Sequence, residues 1–488
     1  MVASNLAHKM PGLEIRIPES PVKWCSVSLS DVFSRNKRLE AGTYDIEARN
    51  AEKMIRAGKY GYARLLVNDG MTEYAFHAPR FKRKYVEKGY PDSVGFLGSS
   101  EMLDIKPVPI KFITKEQANA LNLFAKPGSV LISCSGTIGN IGFVSKTLSA
   151  FALSQHVIKV ECSSYGGYLY ACLKHPYVQV QLQALVYGAV IQEIEPEHLK
   201  HVFIPDAPES IKKRIDDLIA GSYELRDASN VLIDEAAALL VEELQLPDIR
   251  EFDVELYRKH AGVDTFSVKL SDMAGRADAS YHIPVVDAIV EHMKRHAAEV
   301  TTVGDSRVSK DVVLPGRFKR VYVEEGYGVK FLGGKVMHQL DPSSEKYLSR
   351  TAHKSQLEGA LGIKENSILT SARGSLGDVV LPSRQFLSWA ISDNMMQILS
   401  KEDICGYVYI FLHSPYGREL IKRFTYGGVV DAIEPEHIKQ VAIPLLKDAG
   451  VQRRINELAL EANEKRYEAY KMEQQALRII DEEVIFAK

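Results

Sequence analysis

The chain states one long pattern twice. Arg80-Phe-Lys-Arg-Lys-Tyr-Val-Glu-Lys-Gly-Tyr90 returns as Arg317-Phe-Lys-Arg-Val-Tyr-Val-Glu-Glu-Gly-Tyr327, and Ile194-Glu-Pro-Glu-His198 returns unchanged as Ile433-Glu-Pro-Glu-His437. The register is 237 residues at the first block and 239 at the second. A period this long lies far beyond the ~20–50 residues of a solenoid repeat, so each copy is expected to be a domain with its own core. More blocks share the register: Lys126–Gly139 aligns with Lys364–Gly377, Gly167-Tyr-Leu-Tyr170 with Gly406-Tyr-Val-Tyr409, and the opening Ser-Leu-Ser-Asp31 region with that of Asp272. Between these blocks the side chains diverge, which implies two related scaffolds carrying two different surfaces.

Each copy is followed by a different kind of sequence. From Ser210 to about Leu246 there is no proline, and Ile211, Ile215, Leu218, Ser222, Leu225, Ser229, Leu232, Ala236 and Leu239 fall at heptad spacing. The second copy repeats the stripe with Val451, Ile455, Leu458, Ala462, Lys465, Ala469, Met472, Ala476 and Ile479. Such a stripe reads as a long helix, and a small residue at every seventh position lets two helix backbones approach closely. The economical expectation is an antiparallel pair; the alternative is that each helix folds back on its own domain. Pro247 ends the first helix, because proline blocks continuation. Inside the copies, Ser129–Ser133, a glycine turn and Ile141–Val144 read as strand, turn, strand, with another strand at Val157–Val160. Tyr165–Leu185 reads as one or two helices broken at His175-Pro176. The expected fold class is α+β: two tandem mixed domains at 1–208 and 248–447, separated by long antiparallel coiled-coil helices at 209–247 and 448–488.

Bulk properties set limits. The 488 residues, 45% hydrophobic, suffice for two cores of ordinary domain size. No apolar run approaches the ~18 residues of a membrane span, and Lys9, Glu14 and Arg16 speak against a secretory leader, so a cytoplasmic location without a membrane partner is expected. Five cysteines without a CxxC pair argue against a disulfide framework or zinc site. The net charge of −2 is uninformative, but a neutral total can conceal a basic face. Arg80, Lys82, Arg83, Lys84 and Lys88 crowd one segment, and Arg317, Lys319 and Arg320 stand at the matching place.

The duplicated plan, the Ser135-Gly-Thr-Ile-Gly-Asn140 turn, and the segments Val186-Tyr-Gly-Ala-Val190 and Thr425-Tyr-Gly-Gly-Val429 belong together. With them go the Glu-Pro-Glu-His blocks and the heptad helix after each copy. Together they resemble the specificity subunit of type I restriction-modification systems. Arg276-Ala-Asp-Ala-Ser-Tyr281 and the weaker Arg38-Leu-Glu-Ala-Gly-Thr-Tyr44 resemble the opening motif of that family's target-recognition domains. The resemblance spans essentially the whole chain. It implies two target-recognition domains, each reading half of a bipartite site in double-stranded DNA. It also implies DNA methyltransferase subunits carrying S-adenosylmethionine as partners, and in a full system a restriction or translocase subunit using ATP and Mg; no cofactor is expected on this chain. Two departures are the degenerate first opening motif and the unexplained segments near 50–120 and 285–345.

Cations near a turn neutralise phosphates and release counterions, whereas discrimination needs groups presented to base edges. Arg80, Lys82, Arg83, Lys84, Arg317, Lys319 and Arg320 are therefore candidate phosphate contacts. Ser133, Ser135 and Thr137 on the first turn, Arg373 and Ser375 on the second, Gln155 with His156, and Asp393 with Asn394 are candidate readers. Arg373, which replaces Ser135, is the best guess for a guanine reader. The plain alternatives are a hairpin connection for the turn and a solvated strand edge for the basic segment. Glu195, Glu197 and His198 resemble acid-base groups, but helix capping explains them better, and Tyr168 and Tyr170 read as packing residues. No cofactor fingerprint, Walker lysine, methyltransferase loop, nucleophile elbow or His-Glu-x-x-His occurs, so a reader without catalytic activity is expected. The rival readings are a nuclease with its site between the copies, which would need more matching acids, and a protein-binding helical scaffold.

Overall fold

The computed structural model describes residues 26–35, 37–66, 72–188, 192–254, 258–260, 263–273, 275–342 and 346–487. The N-terminal stretch holding Lys9, Glu14, Arg16 and Cys25 lies outside the described residues, as do Ala189 and Val190 of the Tyr-Gly segment. In the first copy the elements include β1 Thr72–Phe76, β2 Ser93–Leu97, β3 Lys111–Thr114, β4 Val130–Ser133, β5 Ile141–Phe143, β6 Ala152–Leu153, β7 Val157–Cys162, α1 Gly166–Lys174, α2 Pro176–Ala184 and the long α3 Glu209–Glu243. The second copy gives β8 Ser309–Val313, β9 Tyr322–Val323, β10 Gly328–Leu332, β11 Lys346–Ser349, β12 Ser367–Ser371, β13 Val379–Val380, β14 Ala390–Ile391, β15 Met395–Ser400, α4 Cys405–His413, α5 Pro415–Lys422 and the long α6 Ala449–Ile479. The class is mixed α and β, as expected, and α6 runs on into six π-helical residues, Ile480–Ile485. No described helix is long and apolar enough to cross a membrane.

Two compact units emerge: one holds the chain up to Asp227 together with Glu468 onward, the other Ala228–Tyr467. Each comprises one copy and half of each long helix. In the first unit, β1-β7-β4-β5 form an antiparallel sheet and β3-β2-β6 a second sheet in which β6 runs parallel to β2. In the second unit the first order recurs as β8-β15-β12-β13, and the second as β11-β10-β14 with β14 parallel to β10, extended by a fourth strand, β9, on β11. The segments that had no explanation from sequence, near 50–120 and 285–345, largely supply this second sheet and a helix before it, Ile46–Arg56 or Pro284–His296.

The long helices are gripped inside each unit by matched devices. Asp216 of α3 accepts from the Gly167 amide at 2.7 Å, and Asn456 of α6 accepts from Gly406 at 2.7 Å, so each long helix caps the N-terminus of its own copy's tyrosine helix. Tyr168 and Tyr407 are fully buried and donate to Pro205 and Pro444 carbonyls at 2.8 and 2.6 Å. Within the first unit α3 and α6 run antiparallel, since Arg214 meets Glu483 while Ser222 donates to the Ala469 carbonyl at 2.8 Å. Within the second unit Arg466 donates to Ser229 at 3.2 Å and Arg454 to Glu235 at 3.2 Å, again antiparallel. The six small heptad residues, Ser222, Ser229, Ala236, Ala462, Ala469 and Ala476, are all fully buried.

The rest of the seam departs from the sequence reading. Leu218, Leu225, Leu232, Leu239, Lys465 and Met472 are only partly buried, whereas Arg226, Arg466 and Glu473 lie inside. The reason is geometric: at 3.6 residues per turn, the positions four after each small residue face inward as well. In the first unit Glu473, 1% exposed, pairs with Arg226 and Lys174 and accepts from the Tyr170 hydroxyl at 2.7 Å. Burial alone would raise its pKa, but Lys174 and Arg226 hold the carboxyl low.

Candidate nucleic-acid interface

In each copy three loops converge on one backbone junction. Cys134, just after β4, donates to the His156 carbonyl at 3.0 Å and accepts from the Ile194 amide at 2.9 Å; Ala372 does the same with Asn394 at 2.7 Å and Ile433 at 3.0 Å. The glycine turn, the loop before β7 or β15 and the hairpin before Glu-Pro-Glu-His are thereby tied together twice in the same way. The turn needs glycine at Gly136 and Gly374, whose φ of +76° and +87° side chains rarely adopt, although a Cβ there would meet open space. Ser133 locks the first turn: its hydroxyl donates to the Thr137 carbonyl at 2.5 Å and accepts from Asn140 at 2.9 Å. Being fully buried, Ser133 presents nothing to a ligand, contrary to the expectation that it offers its hydroxyl to a base.

The other candidates are brought together across long stretches of chain. In the first copy Arg83 donates through Nη2 to Gln155 at 3.1 Å and lies 3.4 Å from Nε2 of His156. Since a guanidinium only donates, Nε2 accepts, Nδ1 carries the proton, and His156 donates to Ser135. Burial, followed by the charge of Arg83, pushes the pKa of His156 down, consistent with this neutral ring. Arg80 reaches Glu193 at 3.2 Å, and the backbones of Ser135 and Glu193 form a bridge. Lys82, Lys84 and Thr137 are exposed. A cavity of about 210 Å³ opens beside Arg83, with Tyr85, Phe96, Lys111, Ser154 and His156 in its wall.

The second copy keeps the frame and changes the chemistry. Arg320 makes a close ion pair with Asp393, and Arg373, half-buried, takes the place of Ser135 with its backbone bridged to Ala432 instead of a glutamate. Asn394, Ser375, Arg317 and Lys319 are exposed. Glu193 on the first hairpin has Ala432 at its place and Gln155 on the first loop has Asp393, while Lys84 has Val321 and Ser135 has Arg373.

Sequence reasoning missed the aromatic frame beneath these groups. Arg83 lies over Phe96 at 5.6 Å and Arg320 over Phe331 at 5.4 Å. Tyr85 and Tyr322 pack edge-on to those rings at 6.2 and 6.3 Å, and Lys111 and Lys346 each sit 5.4 Å over the tyrosine. A signal existed: Phe96-Leu-Gly98 returns as Phe331-Leu-Gly333. The opening motifs also gain a role, since Arg38 donates to the Leu185 and Val186 carbonyls at 2.9 Å and Arg276 to that of Thr425 at 3.1 Å, pinning the Tyr-Gly segment.

The Glu-Pro-Glu-His blocks cap short helices, as expected, with His198 and His437 accepting from the Glu195 and Glu434 amides at 3.2 and 3.3 Å. Both glutamates also accept from a tyrosine hydroxyl, Tyr187 at 2.5 Å and Tyr426 at 2.6 Å. Burial would raise the Glu195 pKa, yet the bonds from Tyr187 and His77 leave it below the ordinary value. Among the described residues no group of three or more His, Cys, Asp or Glu side chains is arranged to hold a metal ion.

No protein-family model and no curated protein matches the chain. Among solved structures, the chain is similar to the S subunit of a type I restriction-modification system from M. genitalium, at 12% sequence identity over 87% of this chain and 95% of that one, with a TM-score of 0.30. It is similar to the HsdS subunit from Thermoanaerobacter tengcongensis at 14% identity over 81% and 91%, with a TM-score of 0.25. A structure described as the basis of complex assembly and conformational transition of the type I R-M system shares 15% identity over 80% and 90%, with a TM-score of 0.26.

Proposed function

We propose that this chain is a non-catalytic DNA-recognition subunit in which each copy reads one half of a bipartite duplex site. The observation that carries the reading is the pair of matched loop junctions. Backbone junction and aromatic frame are held constant, while the polar groups at the junction change from Ser135, Gln155 and His156 to Arg373, Asp393 and Asn394. A structural connection has no need to vary only those groups, whereas two base-reading surfaces do. Lys82, Lys84, Arg317 and Lys319 flank the junctions as phosphate contacts. The motif-level resemblance to type I specificity subunits extends the reading to methyltransferase subunits with S-adenosylmethionine and to a restriction or translocase subunit using ATP and Mg. The partly charged outer flanks of α3 and α6 are the surfaces on which such partners would dock.

The test is binding of the full-length chain to duplex DNA across a salt series. Affinity should fall linearly in log–log form, and Lys82→Ala with Lys84→Ala should reduce the slope by roughly 0.9 per lost contact on specific and random duplexes alike. A salt-independent affinity, or a slope unmoved in a folded double variant, would contradict the assignment.

A further inference from the structure

Arg83 and Arg320 belong to the basic segments that sequence alone assigns to phosphate contact, but their geometry is unlike that of their neighbours. Each guanidinium lies over a phenylalanine of the second sheet, Phe96 or Phe331. Each is tied through one nitrogen, Nη2, to the residue at the matched position of the variable loop, Gln155 or Asp393. For Arg83 neither Nε nor Nη1 makes a hydrogen bond among the described residues. In the first copy Lys82 and Lys84, by contrast, project from the same segment exposed, whereas in the second Arg320 is exposed like Arg317 and Lys319. The arrangement is built twice, although the anchor differs in charge between the copies.

A phosphate needs only a nearby cation and tolerates a mobile one. A guanidinium held over a ring, with one nitrogen tethered and the N–H groups of its other two nitrogens left over, is costly to arrange and suits a partner with two fixed acceptors in one plane. Immobilisation before binding removes ordering entropy and makes a misplaced acceptor pair a poor fit. Two partners in DNA have such pairs: the O6/N7 edge of guanine and two phosphate oxygens. The anchor decides between them, because it comes from the loop that varies between copies and so ties the position of the arginine to the half-site read.

Resting on the DNA-reading function above, we infer that Arg83 and Arg320 are base-reading, specificity-determining arginines for guanine, one in each half-site, and that Gln155 and Asp393 are their positioning residues. The frame of Phe96 or Phe331 with Tyr85 or Tyr322 fixes the plane, and the loop residue fixes the rotation about it.

The test is enrichment of a randomised duplex library by the full-length chain, wild type against single variants, with a thermal melt to establish folding. Arg83→Ala should lower the preference for guanine at one position of one half-site roughly 10- to 100-fold, and Arg320→Ala should do the same in the other half-site. Arg83→Lys, which keeps the charge and the fold, should lose the same preference while retaining the salt slope. Gln155→Ala and Asp393→Ala should relax the same positions as their arginines. If Arg83→Lys keeps the base preference, or Arg83→Ala weakens all sequences alike, the contact is to phosphate and the inference falls while the DNA-reading function stands. If the wild type enriches no sequence, the function itself falls and takes the inference with it.

Discussion

At the scale of single residues, position 135/373 shows how one substitution changes a surface without changing its frame. Ser135 is buried and accepts from His156, whereas Arg373 is half-buried on the same backbone bridge, beside an alanine where the first copy has Glu193. A guanidinium so placed is suited to bidentate base contact worth ~1–3 kcal/mol. Arg373→Ala should accordingly relax one position in the half-site of the second copy and leave the other half-site unchanged, as read by library enrichment. Loss of preference in both halves, or in neither while binding persists, would remove Arg373 as a reader. Its candidacy was legible because the glycine turns align by eye. The Arg83–Gln155 contact was not, because 72 residues separate the partners and nothing in the sequence pairs a repeated basic block with a divergent loop. Ser133 was misjudged for a related reason: polarity on a glycine turn signals exposure, but here the hydroxyl closes the turn from inside.

At the scale of elements, the heptad helices and the tyrosine helices were readable because their periodicity is long and local. The second sheet of each copy was not. β6 and β14 are two residues long, and each joins its sheet by a parallel pairing across more than fifty residues, so no alternation marks them. The seam between α3 and α6 was read with the right small residues and the wrong neighbours, since a charged residue at a heptad position reads as solvated until its partner is known. Glu473→Ala would leave Arg226 and Lys174 without their shared carboxylate, and it should cost about 3–5 kcal/mol, measured by denaturant unfolding at neutral pH. Because the folded-state pKa of Glu473 is depressed to about 2 from an ordinary 4.5, the wild-type advantage should be complete above pH 4.5 and shrink as pH falls toward 2. An advantage that is small or independent of pH across that window would show that this buried cluster is not a net contributor to the fold.

At the scale of the whole molecule, duplication is what makes the chain interpretable. Each compact unit repeats the same sheet orders, the same long-helix cap on a tyrosine helix, the same backbone junction and the same arginine over phenylalanine, while the polar groups at the junction differ. Shared architecture with divergent surface is what the proposed reading of two different targets requires. The sequence showed the period, the blocks and the family resemblance; the structure adds which divergent residues meet, and so which could act together on a base. The central claim is that the two copies read separate stretches of one duplex. The measurement that tests it most directly is enrichment of a long randomised duplex by the full-length chain followed by sequencing of the bound fraction. The account predicts a consensus of two short specified blocks divided by a spacer without base preference, one block changed by substitutions in the first copy and the other by substitutions in the second. A single uninterrupted consensus, or one in which substitutions in either copy alter the same positions, would contradict it.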